Sequence, residues 1–93
     1  MTFDELKFKP LYDGVQAIVD FGKYELSVVC HEFSYGGKSG LYEIAVFEGN
    51  EQKELPGITK DGDTVQGWLS KDALNGIFKK MYAITGSEGV NGD

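Results

Sequence analysis

The chain has 93 residues, the size of a single domain, and its hydrophobic fraction of 41% excludes wholesale disorder. No apolar run approaches the roughly 20 residues needed to span a bilayer. There are 15 acidic residues against 9 basic ones, giving a net charge of -6, and arginine is absent. Duplex nucleic-acid binding is therefore disfavoured, because it calls for a basic surface and commonly uses arginine.

The first ten residues combine three apolar side chains with lysines. Phe3, Leu6 and Phe8 alternate imperfectly, which is compatible with a strand or with a short helical turn before Pro10. The sequence alone leaves both possibilities open.

Residues 15–30 carry the clearest pattern in the chain. Two alternating runs flank Gly22-Lys23, and glycine at the first central position is typical of a type II′ hairpin turn. Pairing Phe21 with Tyr24 across this turn sets every later pair: Val19 with Leu26, Ala17 with Val28, and Val15 with Cys30. These residues then share one face, because side chains alternate with period two along a strand.

Shorter strands are predicted to follow. Residues 41–48 form a third strand with Tyr42, Ile44 and Val46 inward and Glu43 outward, and Gly49-Asn50 begins its turn. Residues 53–55 are predicted to return as a short fourth strand before Pro56. Residues 64–69 are either a last strand or a packed connection.

Residues 70–85 are predicted to form the one substantial helix. Ser70 is a suitable N-cap, and Gly86 is placed to end the helix. Apolar residues recur at helical spacing: Leu74, Ile77, Phe78, Met81 and Ile84. Gly76 either permits close approach to the sheet or is simply tolerated there.

The predicted fold class is therefore α+β, with an antiparallel sheet of four to five strands (a β-hairpin plus meander) and one C-terminal helix packed on one face. A single domain spans residues 1–86, and residues 87–93 are expected to be a mobile tail. The residues expected to be largely buried are Val19, Leu26, Val28, Ile44, Trp68, Ile77 and Met81.

Three short motifs resemble chemical sites but are incomplete. Gly37-Lys38-Ser39 resembles the end of a P-loop, yet position 32 is Glu32 and a strand follows in place of a helix. Cys30 and His31 are neighbours on a strand, so their side chains should point to opposite faces and cannot form a dyad. Residues 61–72 begin like a calcium loop but lack its central glycine. We expect no catalytic residue, no cofactor and no metal site.

The outward face of the hairpin is less polar than expected for a solvent-exposed face of a sheet. Either the N-terminal segment or a loop covers this face, or it is a homodimer or partner-binding surface. The adjoining loop of residues 33–40 is rich in glycine and carries aromatic side chains and a lysine. The candidate interaction surface comprises Ile18, Val29, His31, Phe33, Tyr35, Lys38 and Phe47.

The segment from Tyr35 to Phe47, with its glycine pair leading into a Leu-Tyr-Glu strand, resembles small uncharacterised accessory proteins of tailed phages and prophages. The resemblance extends to residues 2–8 and 58–69. It implies a bacterial cytoplasmic location and an accessory role, and it transfers no catalytic residue.

These observations favour a small acidic non-enzymatic binding protein that contacts a protein partner, which could be a host protein that it inhibits or a second copy of itself. We expect it to bind neither nucleic acid nor membranes. The alternative is a small-molecule or anion-binding module in which Tyr35, Lys38 and the amides of residues 33–40 hold the ligand.

Overall fold

A computed structural model describes residues 1–92 of the chain. These residues form an α+β fold of seven strands and one helix, with short 3-10 turns at Phe3–Glu5 and Gly37–Ser39. The elements are β1 (Lys9–Leu11), β2 (Gly14–Asp20), β3 (Glu25–Cys30), β4 (Tyr42–Glu48), β5 (Glu51–Lys53), β6 (Val65–Leu69), α1 (Lys71–Thr85) and β7 (Val90–Asn91).

The centre of the sheet is the antiparallel meander β2-β3-β4. Its first hairpin has the predicted register, with Val19 opposite Leu26 and Ala17 opposite Val28. The turn also agrees, because Gly22 has a φ of +87°. On the other side of β3, Leu26 pairs with Val46 and Val28 with Ile44, so all these alternate residues face one way. The predicted fold class and central register are confirmed.

Each outer edge of this meander is shared by two short strands. The free edge of β2 pairs with β1 near its start and with β7 near its end. The free edge of β4 pairs with β6 near its start and with β5 near its end. The fourth strand predicted at residues 53–55 lies instead at Glu51–Lys53, because Gly49-Asn50 makes the whole turn. The undecided segment at residues 64–69 is strand β6.

Helix α1 covers the inner face of the sheet. The Ser70 hydroxyl accepts a hydrogen bond from the Ala73 N–H at 3.1 Å, and Gly86 ends the helix with a φ of +75°. The buried helical residues are Leu74, Ile77, Phe78 and Met81, and they join the buried residues of the meander in one core. Ile84, expected on this apolar side, is instead exposed because the buried stripe ends one turn earlier, at Met81.

The N-terminal segment packs beside the helix and does not cover the outward face of the sheet. The Phe3 ring lies 5.2 Å from the ring of Tyr42, which packs against the core on the same side of β4 as the buried Ile44 and Val46. The Phe3 N–H also donates to Asn75 Oδ1 in α1 at 2.8 Å. Cover of the outward face by the N-terminal segment is therefore wrong, because the phenylalanines of this segment pack on the inner side of the sheet.

The segment expected to form a mobile tail returns to the sheet as β7. Asn91 pairs with Val19, and its side chain joins the N-terminal segment by accepting from the Lys7 N–H and donating to the Glu5 carbonyl. The tail prediction for residues 87–93 is therefore wrong as far as Gly92, and Asp93 lies outside the described residues. Among residues 1–92, no helix is long and apolar enough to cross a membrane.

Trp68 was expected in the core, but it is largely exposed. Ile44 pairs with Gln66 and Tyr42 pairs with Leu69, so β6 uses one residue more than β4 over this interval. This β-bulge reverses the alternation of side chains: Leu69 is buried, while Trp68 turns outward with a φ of +57°.

Replacing Gly76 by alanine should raise the free energy of unfolding by about 1 kcal/mol, the difference in helix propensity. A Cβ atom there meets nothing within 4 Å, so the helix gains without a clash. Chemical denaturation measures this change. Gly67→Ala is the matched control and should destabilise, because its Cβ would collide with Tyr35. A destabilising Gly76→Ala would contradict the open environment described for this position.

Candidate functional site

Five ring-bearing residues gather at one end of the sheet, which we call the aromatic end: Tyr12, His31, Phe33, Tyr35 and Trp68. Tyr12 lies in the turn before β2, and His31 directly follows β3. Trp68 lies in the part of β6 that pairs with the start of β4. Antiparallel pairing brings these points to the same end of the sheet.

Four of the five rings are exposed to solvent. The exposed fractions are 70% for Tyr12, 71% for Phe33, 61% for Tyr35 and 63% for Trp68. Single exposed apolar residues are common on proteins, but a group of large aromatic residues on one surface typically marks a site of interaction. The aromatic end is therefore the candidate functional site.

Tyr12, His31 and Phe33 form a cluster of edge-to-face rings. The centroid of Tyr12 lies 5.0 Å from that of His31 and 5.3 Å from that of Phe33, and the last two centroids are 6.1 Å apart. These separations fall within the favourable range for aromatic pairs. The three rings contact one another, although those of Tyr12 and Phe33 are exposed to solvent.

Hydrogen bonds fix the backbone that carries this cluster. The Phe33 N–H donates to His31 Nδ1 at 3.1 Å, and the Glu32 N–H donates to Asp13 Oδ1 at 2.8 Å. The Ser34 hydroxyl is buried against the His31 backbone and donates to its carbonyl at 2.9 Å. The loop after β3 is therefore tied to the turn before β2, which positions the rings relative to one another.

The glycine-rich loop is folded tightly on itself. Gly36 and Gly40 adopt left-handed conformations on either side of the 3-10 turn, and Gly37 has no room for a side chain beside the His31 carbonyl. The amides of residues 34, 37, 39, 40 and 41 all donate to carbonyls of the segment 31–37. Lys38 is exposed on this turn. Most amides that could hold an anion are therefore already used.

Tyr35 lies against the bulge of β6. The Trp68 N–H donates to the Tyr35 carbonyl at 3.1 Å, and the Cβ of Tyr35 occupies the space that a side chain at Gly67 would fill. Both rings remain exposed and border the same two surface grooves. The missing side chain at Gly67 thus allows the loop and the strand to approach closely, with both aromatic residues bordering the same grooves.

Two residues of the aromatic end have left-handed backbones. Tyr12 has a φ of +54° and Trp68 a φ of +57°, and they are the two non-glycine residues with positive φ among the described residues. Such a conformation costs a residue with a Cβ roughly 1–2 kcal/mol. Unfavourable backbone conformations of this kind occur preferentially at functional sites. Here both belong to exposed aromatic residues.

Glu43 on β4 lies beneath the Tyr35 backbone. Its Oε1 accepts from the Tyr35 N–H at 3.4 Å. Partial burial raises the pKa of Glu43, the Tyr35 N–H and the charge of His31 oppose this shift, and the negative charge of Asp63 adds to it. Partial burial is therefore the main reason why the charged form of Glu43 is disfavoured.

The remaining predicted surface residues lie on the outward face of the sheet. Ile18 pairs with Ser27, which pairs with Ala45, and Val29 and Phe47 flank this row. Ile18, Val29 and Phe47 are each only partly exposed, while Ser27 is buried and accepts from the Gln16 amide at 2.9 Å. The predicted set thus divides into three exposed loop residues, Phe33, Tyr35 and Lys38, and four half-buried residues, Ile18, Val29, His31 and Phe47.

Cys30 and His31 are directed to different partners. The Cys30 Sγ contacts the Gly37 carbonyl at 3.7 Å, while His31 Nδ1 accepts from Phe33. Their side chains do not combine into a site.

Comparisons with protein-family models, curated proteins and solved structures find no match to this chain. The chemistry of its own surface therefore carries the functional argument.

The sequence singled out His31, Phe33, Tyr35 and Lys38 but missed Tyr12 and Trp68. Gly67 in front of Trp68 was a usable signal, because an isolated glycine in a strand often marks a bulge. Nothing comparable marks Tyr12, whose exposure follows from the two-residue turn between β1 and β2.

Glu43→Gln should stabilise the protein at pH 7, because it removes a charge that burial disfavours while leaving an oxygen to accept from Tyr35. A glutamate whose pKa is raised on folding contributes to stability at pH values below its unfolded pKa, near 4.5. This contribution is lost as the pH rises through the folded pKa. The advantage of the variant should therefore appear as pH rises from 4 to 7 in urea unfolding.

Glu25→Gln provides the control, since Glu25 is an exposed glutamate at the start of the central strand β3. It should give no comparable pH-dependent gain. A pH-independent effect of Glu43→Gln would contradict the description of this carboxylate.

Proposed function

We propose that this protein is a small acidic non-enzymatic binding protein, and that it acts by docking a protein partner on its aromatic end. The observation that carries the proposal is the grouping of exposed rings there, two of them on left-handed backbones. A set of exposed aromatic residues on rigid backbone is typical of a protein-binding surface, where tyrosine and tryptophan dominate the binding energy.

The rigidity of the aromatic end supports this function. The loop of residues 31–41 is held by internal hydrogen bonds and by contacts to Asp13 and Trp68. A partner would therefore meet rings that are already positioned, and little conformational entropy would be lost on binding. A loop that served only to connect β3 and β4 would not require this arrangement.

The half-buried outward face extends the proposed surface. Val29 lies next to the aromatic end, Ile18 lies in the middle of the outward face, and Phe47 lies toward the opposite end. Partly exposed apolar residues on a face that adjoins an aromatic centre fit the outer part of an interface, where contacts exclude water more than they supply energy. We include them as the periphery of the docking surface.

We also propose the setting in which this surface works. The resemblance of residues 35–47 to accessory proteins of tailed phages and prophages supports action in the cytosol of a bacterial host. A host protein that is inhibited by the contact is the partner we favour, and a second copy of this chain is the competing one.

The anion-binding alternative gains no support from the loop. Its amides at residues 34, 37, 39, 40 and 41 donate within the segment, which leaves Lys38 as the main group for an anion. An exposed lysine alone is a weak basis for such a site. We therefore do not advance that function.

A photo-crosslinking amino acid placed at Phe33 should capture a defined partner in the cytosol of a bacterial host that carries the phage or prophage. The same label at Tyr82, an exposed aromatic residue on α1, is the matched control and should capture far less of that partner. Gel mobility and mass spectrometry of the products measure the outcome. The mass of the product also tells a host protein from a second copy of the chain.

Specificity is tested by competition with unlabelled protein. Wild-type protein should suppress the product, while the variant Phe33→Ala with Trp68→Ala should not. Equal labelling from Phe33 and Tyr82, or equal competition by the double variant, would contradict the proposed function.

A further inference from the structure

We propose that the partner presents an arginine side chain, which the aromatic end receives in the groove bordered by the rings of Tyr35 and Trp68 and the carboxylate of Asp63. This inference rests on the proposed function and names the chemistry of the partner. It identifies the bound group as a guanidinium on a basic protein segment.

The faces of Tyr35 and Trp68 are available to a ligand. The ring–ring contacts of the aromatic end join Tyr12, His31 and Phe33, and the two lysine–ring contacts among the described residues lie at Tyr24 and Phe3. Tyr35 and Trp68 border one groove together with Asp63 and Lys60, and Asp63 and Lys60 form no ion pair. An open aromatic surface beside a carboxylate is the environment that a cation prefers.

The local charges also favour a cation. Four carboxylates lie at this end, on Asp13, Glu32, Glu43 and Asp63, against two lysines, Lys38 and Lys60. The two ion pairs among the described residues are elsewhere, between Lys23 and Glu48 and between Lys53 and Glu51. The four carboxylates are therefore not neutralised by salt bridges. A chain with a net charge of -6 would also attract a basic partner at long range.

Two of these carboxylates lie near the Tyr35 backbone or its groove. Asp63 lines the groove together with Tyr35 and Trp68, and Glu43 accepts from the Tyr35 backbone N–H. The negative charge of Asp63 adds to the effect of burial in raising the pKa of Glu43. A cation in the groove would reduce this repulsion.

Arginine fits this arrangement better than lysine. Its planar guanidinium can stack on an aromatic ring while its N–H groups bond carboxylates in the plane, and it is less strongly hydrated than an ammonium group. Lysine offers a point charge that cannot do both with the same geometry. The chain has no arginine of its own to occupy the site.

Trp68 is the single tryptophan of the chain, so its fluorescence reports directly on this site. The probe is a capped pentapeptide, Gly-Arg-Gly-Arg-Gly, titrated at low salt against the full-length protein. It should change the emission saturably. The lysine peptide should bind at least about threefold more weakly, and the citrulline peptide, which keeps the planar shape without the charge, weaker still.

Two matched variants locate the contact. Asp63→Asn should weaken binding by about threefold to fivefold, the size expected for an exposed ion pair, whereas Asp61→Asn removes the same charge two residues away and should change it little. Tyr35→Ala should weaken binding and Tyr82→Ala should not. The thermal midpoint of each variant shows whether its fold is intact, and the conservative Asp63→Asn keeps the test valid if Tyr35→Ala unfolds.

Equal affinity for the arginine and citrulline peptides, or for the arginine and lysine peptides, would overturn the inference. Equal loss in Asp63→Asn and Asp61→Asn would overturn it as well, because binding would then follow net charge alone. If the peptide does not bind while the Phe33 label still captures a partner, the arginine site is wrong and the proposed function stands. If the Phe33 label captures nothing, the proposed function itself fails.

Discussion

The rest of the structure depends on the pairing of β3 with a neighbour on each side. All six of its residues pair with β2, and five pair with β4. Leu26 and Val28 are fully buried at its centre. Because alternate residues point to opposite faces, this register fixes which side chains meet helix α1 and which point outward. A shift by one residue would expose the core and turn outward residues such as Gln16, Glu25 and Glu43 toward helix α1.

The same register decides where the aromatic end forms. The strands β2, β3 and β4 bring a short turn, the loop after β3 and the start of β4 to one end of the sheet, and β6 adds its bulge there. The opposite end has the tight turns at Gly22-Lys23 and Gly49-Asn50 and the pairing of β7 with the end of β2. The connections between the central strands are thus short at that end, while the aromatic end supports the longer loop of residues 31–41 and carries the exposed rings. The scaffold is stabilised by its core.

The backbone conformation and the solvent exposure of the rings at the aromatic end are unfavourable for folding. Left-handed backbone at Tyr12 and Trp68 is unfavourable, and four large rings lie mostly in water. Natural proteins tolerate such features where binding requires them, and the remainder of the fold must compensate. The buried residues of the sheet and of α1 supply that compensation through a continuous core.

The sequence predicted the parts of the fold that follow from a repeating pattern. The alternation around Gly22 determined the central register, and Ser70, Gly86 and the spacing of apolar residues determined α1. It failed where one residue interrupts the pattern. The bulge at Gly67 and Trp68 reverses which residues of β6 face the core. The sequence pattern does not contain this reversal, so it predicted that Trp68 is buried.

The sequence pattern also did not predict contacts between distant parts of the chain. The return of β7 depends on Asn91, whose side chain bonds the backbone of residues 5 and 7. The site was predicted in part, since the loop of residues 33–40 stood out by composition. Its partners Tyr12 and Trp68 come from other elements, and only the folded sheet brings them together with it.

The central claim is that the rings of the aromatic end serve binding and not folding. Unfolding in urea of Phe33→Ala and Phe21→Ala tests this claim with one substitution at two sites. Phe21 is 1% exposed and packs 6.4 Å from the Phe78 ring, so its loss should cost about 3–5 kcal/mol. Phe33→Ala should cost less than about 1 kcal/mol, since most of that ring already faces water. A loss at Phe33 as large as that at Phe21 would contradict the account, because the exposed ring would then be part of what holds the fold together.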